Sequence, residues 1–509
     1  MARFLKDGRL LFSAIATLFI GLTCTSADFV TIPVASLWDA AVVFAQWAIV
    51  MIALFPVIHL ITLNRYVFAV FFPIVCLLSG VLTWFRYTTG TVLTTMILDA
   101  TFDNDIRISA ELMSPGLFVI AVASLLAGML FAFYRFRKFG LNRYLWWHLA
   151  LAIIWLCGAY SHWKIRLPVA EKIPTNLYFV TSRYLAEKRI YLKTRPPLGE
   201  NITCGENRPL VIFILGESLR ADHLQINGYE RNTTPCLAAE DIISFPNIYS
   251  EGVITNVSLP TILTRADGIH PERADNERSF VDLFKRCGYH TVWLANQEPA
   301  DSYVYFMQEC DTLIYGNINK SSYVFDCWTD EVLLPDFETF TRNSDTSRLI
   351  ILHTIGSHWY YNSHYPADFK HFTPITESKI VSSNTREQMV NSYDNTVLYT
   401  DFFICNIINR LRAANAIIIY LSDHGEALGE DGRYLHAFDA PAAHNPACFV
   451  WMSQQYKVLY PDRYKSLSDN CLRRYDTDFL FHTILESANI QSDVIEPEKS
   501  LFNPLIINQ

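Results

Sequence analysis

Five stretches before about residue 165 carry no charged side chain over a length that can cross a lipid bilayer. The first could be a cleaved signal peptide, but four more follow it, which favours an uncleaved first span. We therefore predict a multi-pass membrane domain in this half of the sequence. The predicted spans lie near Leu10–Ala27, Ala40–Leu63, Tyr66–Trp84, Gly116–Phe133 and Tyr144–Tyr160.

The basic residues near these spans predict their orientation, because Lys and Arg concentrate on the cytoplasmic side of a membrane. They cluster before the first span, at Arg65 between the second and third, and between the fourth and fifth. The segment Asp28–Asp39 between the first and second spans has neither Lys nor Arg. With five spans, the amino terminus is cytoplasmic and everything after the fifth span is outside. Merging spans two and three would reverse this orientation.

The outside segment 85–115 carries charged residues at roughly helical spacing. One interpretation is a solvated amphipathic helix. The other is a helix that lies on the membrane surface and lines a lipid site. The charged residues are Asp99, Asp103, Asp105, Arg107 and Glu111.

After about residue 201 apolar strands alternate with helices, a pattern typical of an α/β fold with a mostly parallel, doubly wound sheet. Helical patterns at Ser279–Cys287 and Thr385–Ala413 lie between the strand candidates. We predict a five-helix transmembrane domain at 1–163 with an outside loop at about 85–115, an interfacial linker at 164–203, and a soluble α/β domain at 204–509. The strand candidates are Leu210–Leu215, His290–Ala295, Arg348–His353, Ala416–Leu421 and Ala447–Met452.

The net charge and the cysteine content indicate which partners and which redox compartment suit the protein. The net charge of −9 argues against a nucleic-acid binder. Of the 11 cysteines, three fall in the membrane stretches, and the even number outside is compatible with disulfides in an oxidising compartment. Cys310 and Cys327 flank a loop and form the predicted pair, whereas Cys287, Cys405 and Cys448 lie in apolar patterns that suit buried free thiols. Without a CxxC motif, zinc binding by thiolates is not expected.

Residues that can bind a metal follow several predicted strands at their carboxyl ends. Glu217, His358, and the pair Asp423 and His424 each come after a strand, and His436 lies further along. In an open α/β sheet these ends meet in one crevice. Glu, Asp and His together suit zinc with one position open for a substrate oxygen, whereas manganese prefers more oxygen ligands. A surface Asp–His hydrogen-bonding pair is the simpler alternative.

Such a metal site needs a reacting group, and Thr255 is the candidate. It lies at a predicted helix start, where the helix dipole and an adjacent metal both favour an alkoxide. From spacing alone, a helix N-cap is the simpler interpretation of Thr255. Ser258 and Thr261 are rival nucleophiles.

Several motifs in the soluble half resemble those of the phosphoethanolamine transferases of Gram-negative bacteria. These are inner-membrane members of the alkaline phosphatase and sulfatase superfamily. The resemblance spans the whole soluble half, and the five-span anchor agrees with it. The stretches that carry it are Phe213–Asp222, Asn227–Pro235, Gly356–His358, Asn391–Asp401, Ser422–His436 and Phe479–Thr483.

The resemblance implies roles for individual residues. Thr255 would be the nucleophile that carries phosphoethanolamine between two half-reactions, and His358 and His436 would take part in catalysis. The region around these two histidines would hold the phosphate or a second zinc. The implied ligands of the catalytic zinc are Glu217, Thr255, Asp423 and His424. The implied substrate-binding residues are His358, His436, Asn395, Asp99 and Asp103.

The resemblance also implies an enzyme of the bacterial inner membrane with its catalytic domain in the periplasm. The donor would be phosphatidylethanolamine, and the enzyme would act as a monomer. The acceptor would be a cell-envelope glycolipid or glycan, namely lipid A, the lipopolysaccharide core or a periplasmic glucan. A related membrane-anchored phosphoglycerol transferase, phosphodiesterase or sulfatase is the alternative, and a scaffold with a dead site is a third hypothesis.

Overall fold

The structure, a computed structural model, describes residues 8–32, 34–89, 115–140, 144–161, 174–191, 195–300, 302–318, 327–342, 347–436 and 438–504, with a few single residues between them. The chain divides into two compact units. The membrane unit comprises Met1–Leu185, Ile318–Asp326 and Glu377–Ser383. The α/β unit comprises Ala186–Asn317, Cys327–Thr376 and Asn384–Gln509. The division after Leu185 falls inside the segment 164–203, whose limits as a linker stay a prediction.

Long apolar helices make up most of the described part of the membrane unit. Each of the five predicted spans lies within one of the first five helices, to within one residue. Three helices, Leu37–Leu63, Arg65–Tyr87 and Pro115–Lys138, are long and apolar enough to cross a membrane, and Arg9–Cys24 and Leu145–Ser161 are shorter apolar helices. Asp99, Asp103, Asp105, Arg107 and Glu111 lie outside the described residues. The helices are α1 (Arg9–Thr31), α2 (Leu37–Leu63), α3 (Arg65–Thr89), α4 (Pro115–Lys138), α5 (Leu145–Ser161) and α6 (Asn176–Tyr191).

A chain of polar side chains links several of these helices inside the membrane unit. Ser13 Oγ lies 2.8 Å from His59 Nδ1 and 2.9 Å from Thr62 Oγ1. His59 Nε2 lies 3.0 Å from His148 Nδ1, and Arg135 Nε donates to the Thr62 carbonyl at 2.7 Å. Polar atoms at membrane depth must be satisfied within the protein, and this pairing is what allows these side chains to be buried between helices.

The described part of the α/β unit alternates strands and helices. The runs of apolar residues at the strand candidates form the expected strands because both faces of the sheet are covered by helices. The strands are β1 (Ile202–Cys204), β2 (Leu210–Gly216), β3 (Ile242–Ser244), β4 (Ile248–Tyr249), β5 (His290–Ala295), β6 (Thr312–Tyr315), β7 (Arg348–His353), β8 (Ala416–Ser422), β9 (Ala427–Leu428), β10 (Tyr434–Leu435), β11 (Cys448–Met452), β12 (Tyr475–Asp476) and β13 (Ile490–Ser492). The helices are α7 (Thr255–Leu263), α8 (Arg273–Asn276), α9 (Val281–Arg286), α10 (Val304–Glu309), α11 (Leu334–Thr341), α12 (Arg386–Leu411), α13 (Gln454–Leu459), α14 (Pro461–Asn470) and α15 (Phe479–Ser487).

Seven of these strands form the main sheet of the described α/β unit, in the order β3-β11-β8-β2-β7-β5-β6. The neighbours from β8 to β6 run parallel, while β11 runs antiparallel to both β8 and β3. The predicted doubly wound, mostly parallel α/β fold is therefore confirmed. The short strands β3 and β6 at the two edges were not among the sequence candidates, because so few residues leave little periodic signal.

The register brings the carboxyl ends of the central strands to one edge of the sheet. Gly216 pairs with Ser422 across β2 and β8, and Leu215 pairs with His353 across β2 and β7. Ala295 of β5 pairs with the same His353. The residues that follow these strands therefore leave the sheet side by side, which creates the crevice expected for an α/β enzyme.

Two disulfides stabilise the α/β unit, and neither is the predicted pair. They join Cys204 to Cys287 and Cys236 to Cys405, across 83 and 169 residues of sequence. The predicted Cys310–Cys327 disulfide is wrong, since both are free. The prediction of free thiols at Cys287 and Cys405 is also wrong, whereas Cys448 is a buried free thiol. Apolar surroundings suit either a thiol or a half-cystine, and only the tertiary fold brings such distant partners together.

We expect the Cys236–Cys405 disulfide to contribute strongly to stability, because it closes a long loop in the unfolded chain. Replacing both cysteines by serine should lower the unfolding free energy by about 2–5 kcal/mol. Thermal unfolding of the purified protein in detergent measures this as a fall in Tm. Cys327→Ser is the matched control, since Cys327 is exposed and free, and should leave Tm unchanged. An unchanged Tm in the double variant would contradict the assignment.

Candidate metal centre and nucleophile

Glu217 lies at the centre of the crevice, one residue beyond β2. Its side chain is 1% exposed, which would be costly for a carboxylate without positive or hydrogen-bonding partners. Ser218 turns the chain away from the sheet with a φ of +56°, and its Oγ donates to Glu217 Oε1 at 2.7 Å. The strained turn and the hydroxyl together fix the orientation of the carboxylate.

Three of the predicted ligands meet in this crevice. The ligand atoms of Glu217, Asp423 and His424 all lie within 4.8 Å of one another, and all three residues are buried. His424 Nε2 is 3.6 Å from Glu217 Oε1 and 3.3 Å from Asp423 Oδ2. The neighbouring strands β2 and β8 therefore bring together residues that are far apart in the sequence, close enough to share one cation.

The hydrogen bonds of Asp423 and His424 leave one atom of each side chain for a metal. Asp423 Oδ1 accepts the backbone N–H groups of Ser218 at 3.1 Å and His424 at 2.8 Å. His424 Nδ1 lies 2.8 Å from the Gly425 carbonyl, so Nδ1 carries the proton and Nε2 a lone pair. Among the described residues, Asp423 Oδ2 and His424 Nε2 are buried without a hydrogen-bond partner. A divalent cation fits these lone pairs and the adjacent Glu217 carboxylate.

The two carboxylates also interact electrostatically. Burial raises the pKa of Asp423, and the nearby charge of Glu217 raises it further. Burial acts on Glu217 in the same direction, but the imidazoles of His424, His358 and His436 and the Ser218 hydroxyl lower its pKa below the usual value. Two carboxylates this close cannot both remain ionised without a cation between them, and a metal would remove this conflict.

Thr255 lies in the same crevice at the start of α7. Its Oγ1 donates to Glu217 Oε2 at 2.9 Å. Ile254 is the N-cap residue and makes no side-chain cap bond, so the alternative of Thr255 as an N-cap does not apply. The two rival hydroxyls bond to carbonyls of their own helix, Ser258 to Ile254 at 3.1 Å and Thr261 to Val257 at 3.5 Å. Thr255 is therefore the α7 hydroxyl that faces the carboxylates.

His436 and Glu426 form a second polar group next to the first. His436 Nδ1 lies 2.8 Å from Glu426 Oε2, and Tyr361 OH donates to Glu426 Oε1 at 2.7 Å. Burial opposes protonation of His436, but the Glu426 carboxylate outweighs it and raises the pKa of His436 to about 9. The rings of His424 and His436 are 4.6 Å apart, and those of His358 and His436 6.2 Å apart. The structure thus brings both predicted histidines to the predicted metal site.

His358 differs from His436 in charge. Burial lowers the pKa of His358, which lies after β7. A neutral His358 and a protonated His436 therefore face the same space. Together they offer a phosphate group a hydrogen-bond donor and a positive charge.

Asn395 and its neighbour Asp394 form hydrogen bonds with other segments of the α/β unit. Asn395 Oδ1 accepts the backbone N–H groups of His371 at 3.0 Å and Phe372 at 2.8 Å, and Nδ2 donates to the Phe372 carbonyl at 3.0 Å. Asp394 accepts from Tyr229 OH at 3.0 Å and Arg231 Nη1 at 2.8 Å. In this structure these motif residues bind one another and the main chain.

Gln297 is a residue of the site that the sequence reasoning missed. Its Nε2 donates to Glu217 Oε2 at 3.0 Å and to the Thr354 carbonyl at 2.8 Å. It comes two residues after β5, so the rule that identified Glu217, polar residues at the carboxyl end of a strand, would have found it. Ser218 and Tyr361 were missed as well, because hydroxyls carry no comparable sequence signal.

Gly356 allows the His358 loop to approach Glu217. Its φ is +49°, and a Cβ there would lie 2.8 Å from the Glu217 carbonyl oxygen. The next residue, Ser357, donates its N–H to that carbonyl at 3.0 Å. Only glycine fits this close backbone approach, which places His358 beside the metal site.

A parallel sheet that carries Glu, Asp and His around a metal position, with a hydroxyl at a helix start beside it, defines a metal-dependent α/β enzyme of the phosphoryl- and sulfuryl-transfer class. The chain belongs to the sulfatase family, whose model matches residues 209–490. The curated relative phosphoethanolamine transferase EptA of Escherichia coli (strain K12) is 33% identical over 320 residues, which are 58% of this chain and 56% of that protein. The chain thus spans little more than half the length of that relative.

Two solved structures support the same placement. The soluble domain of lipooligosaccharide phosphoethanolamine transferase A from Neisseria meningitidis is 30% identical, with a TM-score of 0.54 over 59% of this chain and 95% of that one. The integral membrane protein EptA from the same organism is 25% identical, with a TM-score of 0.55 over 96% of this chain and 98% of that one. The predicted resemblance to phosphoethanolamine transferases is confirmed. The protein is an inner-membrane protein with a periplasmic α/β domain, as predicted.

Proposed function

We propose that the protein transfers phosphoethanolamine from phosphatidylethanolamine to a cell-envelope glycolipid or glycan, with Thr255 as the group that carries it. One observation supports this most directly. Thr255 Oγ1 lies 2.9 Å from Glu217 Oε2, in the crevice where Asp423 Oδ2 and His424 Nε2 have no hydrogen-bond partner among the described residues. The arrangement offers a hydroxyl, an acceptor for its proton and ligands for a metal in a single crevice.

We further propose zinc as the metal, held by Glu217, Thr255, Asp423 and His424. One imidazole nitrogen with carboxylate and hydroxyl oxygens is a ligand set that zinc accepts in a four-coordinate site. When bound, zinc supplies Lewis-acid stabilisation of negative charge on oxygen. A second zinc would bind near His358 and His436; His436 and Glu426 offer ligand atoms within 4.8 Å of each other and of the His424 ligand atom.

The side chains can perform both half-reactions. Thr255 Oγ attacks the donor phosphorus while its proton passes to the Glu217 carboxylate, and the bond from phosphorus to the diacylglycerol oxygen breaks. His436 is held by Glu426 through Nδ1, which leaves Nε2–H to protonate the departing oxygen. In the second half-reaction an acceptor hydroxyl attacks the same phosphorus and passes its proton to the now neutral His436. The bond to Thr255 breaks, and Thr255 Oγ takes back the proton held by Glu217. His358 can hydrogen-bond to the phosphate oxygens in both steps, and the His436 charge stabilises them until its proton passes to the leaving oxygen.

The donor and acceptor assignments rest on the family. Phosphatidylethanolamine as donor follows from the transferase relatives, and the membrane unit keeps the enzyme at the bilayer that contains this lipid. Lipid A, the lipopolysaccharide core and a periplasmic glucan are the acceptors to compare. Asp99 and Asp103 are proposed to contact the substrate. Asn395 is proposed to act at the substrate site through the loop that it anchors. The enzyme is proposed to act as a monomer.

The test uses the purified full-length protein and fluorescent phosphatidylethanolamine. We expect release of diacylglycerol and a phosphoethanolamine mass increase on the peptide that contains Thr255. Mass spectrometry of lipid A, core and glucans from cells with and without the gene then names the acceptor. Release of phosphoethanolamine to water without any modified acceptor would show a phosphodiesterase instead. Cleavage of phosphatidylglycerol or of a sulfate ester, with phosphatidylethanolamine intact, would overturn the proposal.

A further inference from the structure

A buried carboxylate outside the metal site lies behind two of the loops that form it. Asp330 is 4% exposed and begins a short 3-10 helix, Asp330–Leu333. Its Oδ1 accepts the Ile355 N–H at 2.8 Å, and its Oδ2 accepts the Gly356 N–H at 3.1 Å. These are consecutive N–H groups of the loop after β7. The carboxylate therefore binds the main chain two and three residues before His358.

The same carboxylate also binds the loop after β5. Asn296 Nδ2 donates to Asp330 Oδ1 at 2.7 Å, and Asn296 Oδ1 accepts from Trp328 Nε1 at 2.9 Å. Asn296 precedes Gln297, which donates to Glu217. One side chain thus connects two loops that come from neighbouring strands and carry different residues of the site.

Main-chain hydrogen bonds at Ile355 and Gly356 hold the loop after β7, together with the buried Ile355 side chain and the Ser357 hydroxyl, which accepts from Thr396 Oγ1 at 2.7 Å. Gly356 has no side chain to hold it, and Ser357 N–H reaches the Glu217 carbonyl at 3.0 Å. His358 follows two residues after Gly356. A small shift of this loop would move His358 relative to the phosphate position without displacing Asp423 or His424, which follow β8.

The surroundings of Asp330 are unusual for a carboxylate. The donors that it binds, two backbone N–H groups and an amide, are neutral, and burial raises its pKa. A buried carboxylate among neutral donors costs stability compared with an apolar side chain, unless the geometry that it imposes is needed. Its three charge-assisted hydrogen bonds are shorter-ranged and more directional than apolar contacts, which suits the fixing of a loop.

We infer that Asp330 is a positioning residue, which holds the Gly356–His358 loop and the Asn296–Gln297 loop in register so that His358 meets the substrate phosphate. This inference rests on the proposed function, because it assigns His358 to the transferred group. Asp330 does not touch substrate or metal in this account. It acts through His358 and, more weakly, through Gln297.

The test compares Asp330→Asn with wild type in the full-length enzyme. An asparagine oxygen can replace Oδ1, but its NH₂ group then meets the Gly356 N–H donor against donor. We expect kcat for diacylglycerol release to fall roughly 10- to 100-fold, as for a small misplacement of a reacting group. KM for the lipid should change less than about twofold, because the interaction lost belongs to the transition state. Zinc content should be unchanged.

A double-mutant cycle separates positioning from general destabilisation. In a His358→Ala background, Asp330→Asn should reduce kcat by less than about twofold, since the residue through which it acts is already absent. Full additivity of the two effects would overturn the inference. Asp368→Asn is the matched control, because Asp368 is exposed on the same unit, and it should leave kcat unchanged.

Hydrogen exchange tests whether Asp330 holds the loop without relying on the proposed reaction. In Asp330→Asn the amides of Ile355 and Gly356 should exchange at least about tenfold faster than in wild type, while those of β8 stay protected. Unchanged exchange would overturn the inference even if kcat falls. If Asp330→Asn shows the faster exchange but the wild-type enzyme has no transferase activity, the positioning role stands and the proposed function is refuted. If Asp330→Asn does not fold, Asn296→Ser should show the same pattern at smaller amplitude, and its absence there would overturn the inference.

Discussion

Thr255→Ala should abolish both diacylglycerol release and the phosphoethanolamine-modified peptide, with a loss of at least about 1,000-fold. The side chain that would form the covalent bond is then missing. Ser258 and Thr261 cannot replace it, because their hydroxyls bond to carbonyls of their own helix. Initial rates with fluorescent phosphatidylethanolamine and mass spectrometry of the tryptic peptides measure the two effects.

Thr255→Ser is the informative companion variant. It keeps the hydroxyl at the start of α7 and loses only the methyl group that restricts its rotamer. We expect activity within roughly 100-fold of wild type, with the mass increase still on the peptide that contains the substituted residue. Thr261→Ala, on the exposed side of the same helix, should behave as wild type. A phosphoethanolamine mass increase that persists in the Thr255→Ala protein would contradict the assignment of Thr255 as the nucleophile.

Asp423→Asn should remove the metal and the activity together. Asp423 Oδ1 accepts two backbone N–H groups, so an asparagine would turn its oxygen toward them and its NH₂ group toward the position of Oδ2. An NH₂ group there opposes a cation. We expect zinc content to fall to background by elemental analysis, and activity to fall at least about 1,000-fold. Zinc should restore activity to chelator-treated wild type but not to the variant.

The thermal stability of the metal-free proteins provides a second, independent test of the metal site. In wild type without metal, Asp423 and Glu217 repel each other inside the crevice, which is the reason for the raised pKa of Asp423 beyond burial. The variant removes one of the two charges, so its Tm without metal should exceed that of metal-free wild type. With zinc present the order should reverse, because only wild type binds it. Asp462→Asn, an exposed position on α14, should follow wild type in both conditions.

The parts of the fold that the sequence predicted well are those with a strong local signal. The backbone N–H and C=O groups of a long uncharged stretch can be satisfied inside a bilayer by forming a helix, and the predicted spans coincide with the helices α1 to α5. Three of these, α2, α3 and α4, are long and apolar enough to cross a membrane. Strands buried on both faces read as continuous apolar runs, so the parallel strands β2, β5, β7 and β8 and the antiparallel strand β11 were found almost to the residue. Glu217, Asp423 and His424 followed from the rule that polar residues at strand ends meet in one crevice, and their proximity is now seen in the structure.

The disulfides show where local reasoning fails. Cys310 and Cys327 are near each other in sequence, but pairing depends on distance in space, and the true partners are separated by 83 and 169 residues. The orientation of hydroxyls is decided in the same way. Thr255 could be an N-cap or a nucleophile from its spacing; the structure makes Ile254 the N-cap and places the Thr255 hydroxyl 2.9 Å from Glu217, while its role as nucleophile stays a proposal.

The sequence by itself determined the class of this protein, its membrane helices and the residues able to bind a metal, because hydrophobic length, strand patterns and ligand chemistry are properties of short segments. Only the tertiary structure decided which of those residues act together. It placed the Thr255 hydroxyl within hydrogen-bond distance of Glu217, left one lone pair each of Asp423 and His424 without a partner in the described part of the chain, and put Asp330 behind two loops from different strands. These are relations between segments that are far apart in the chain, and the parallel sheet brings them together by aligning its strand ends at one edge.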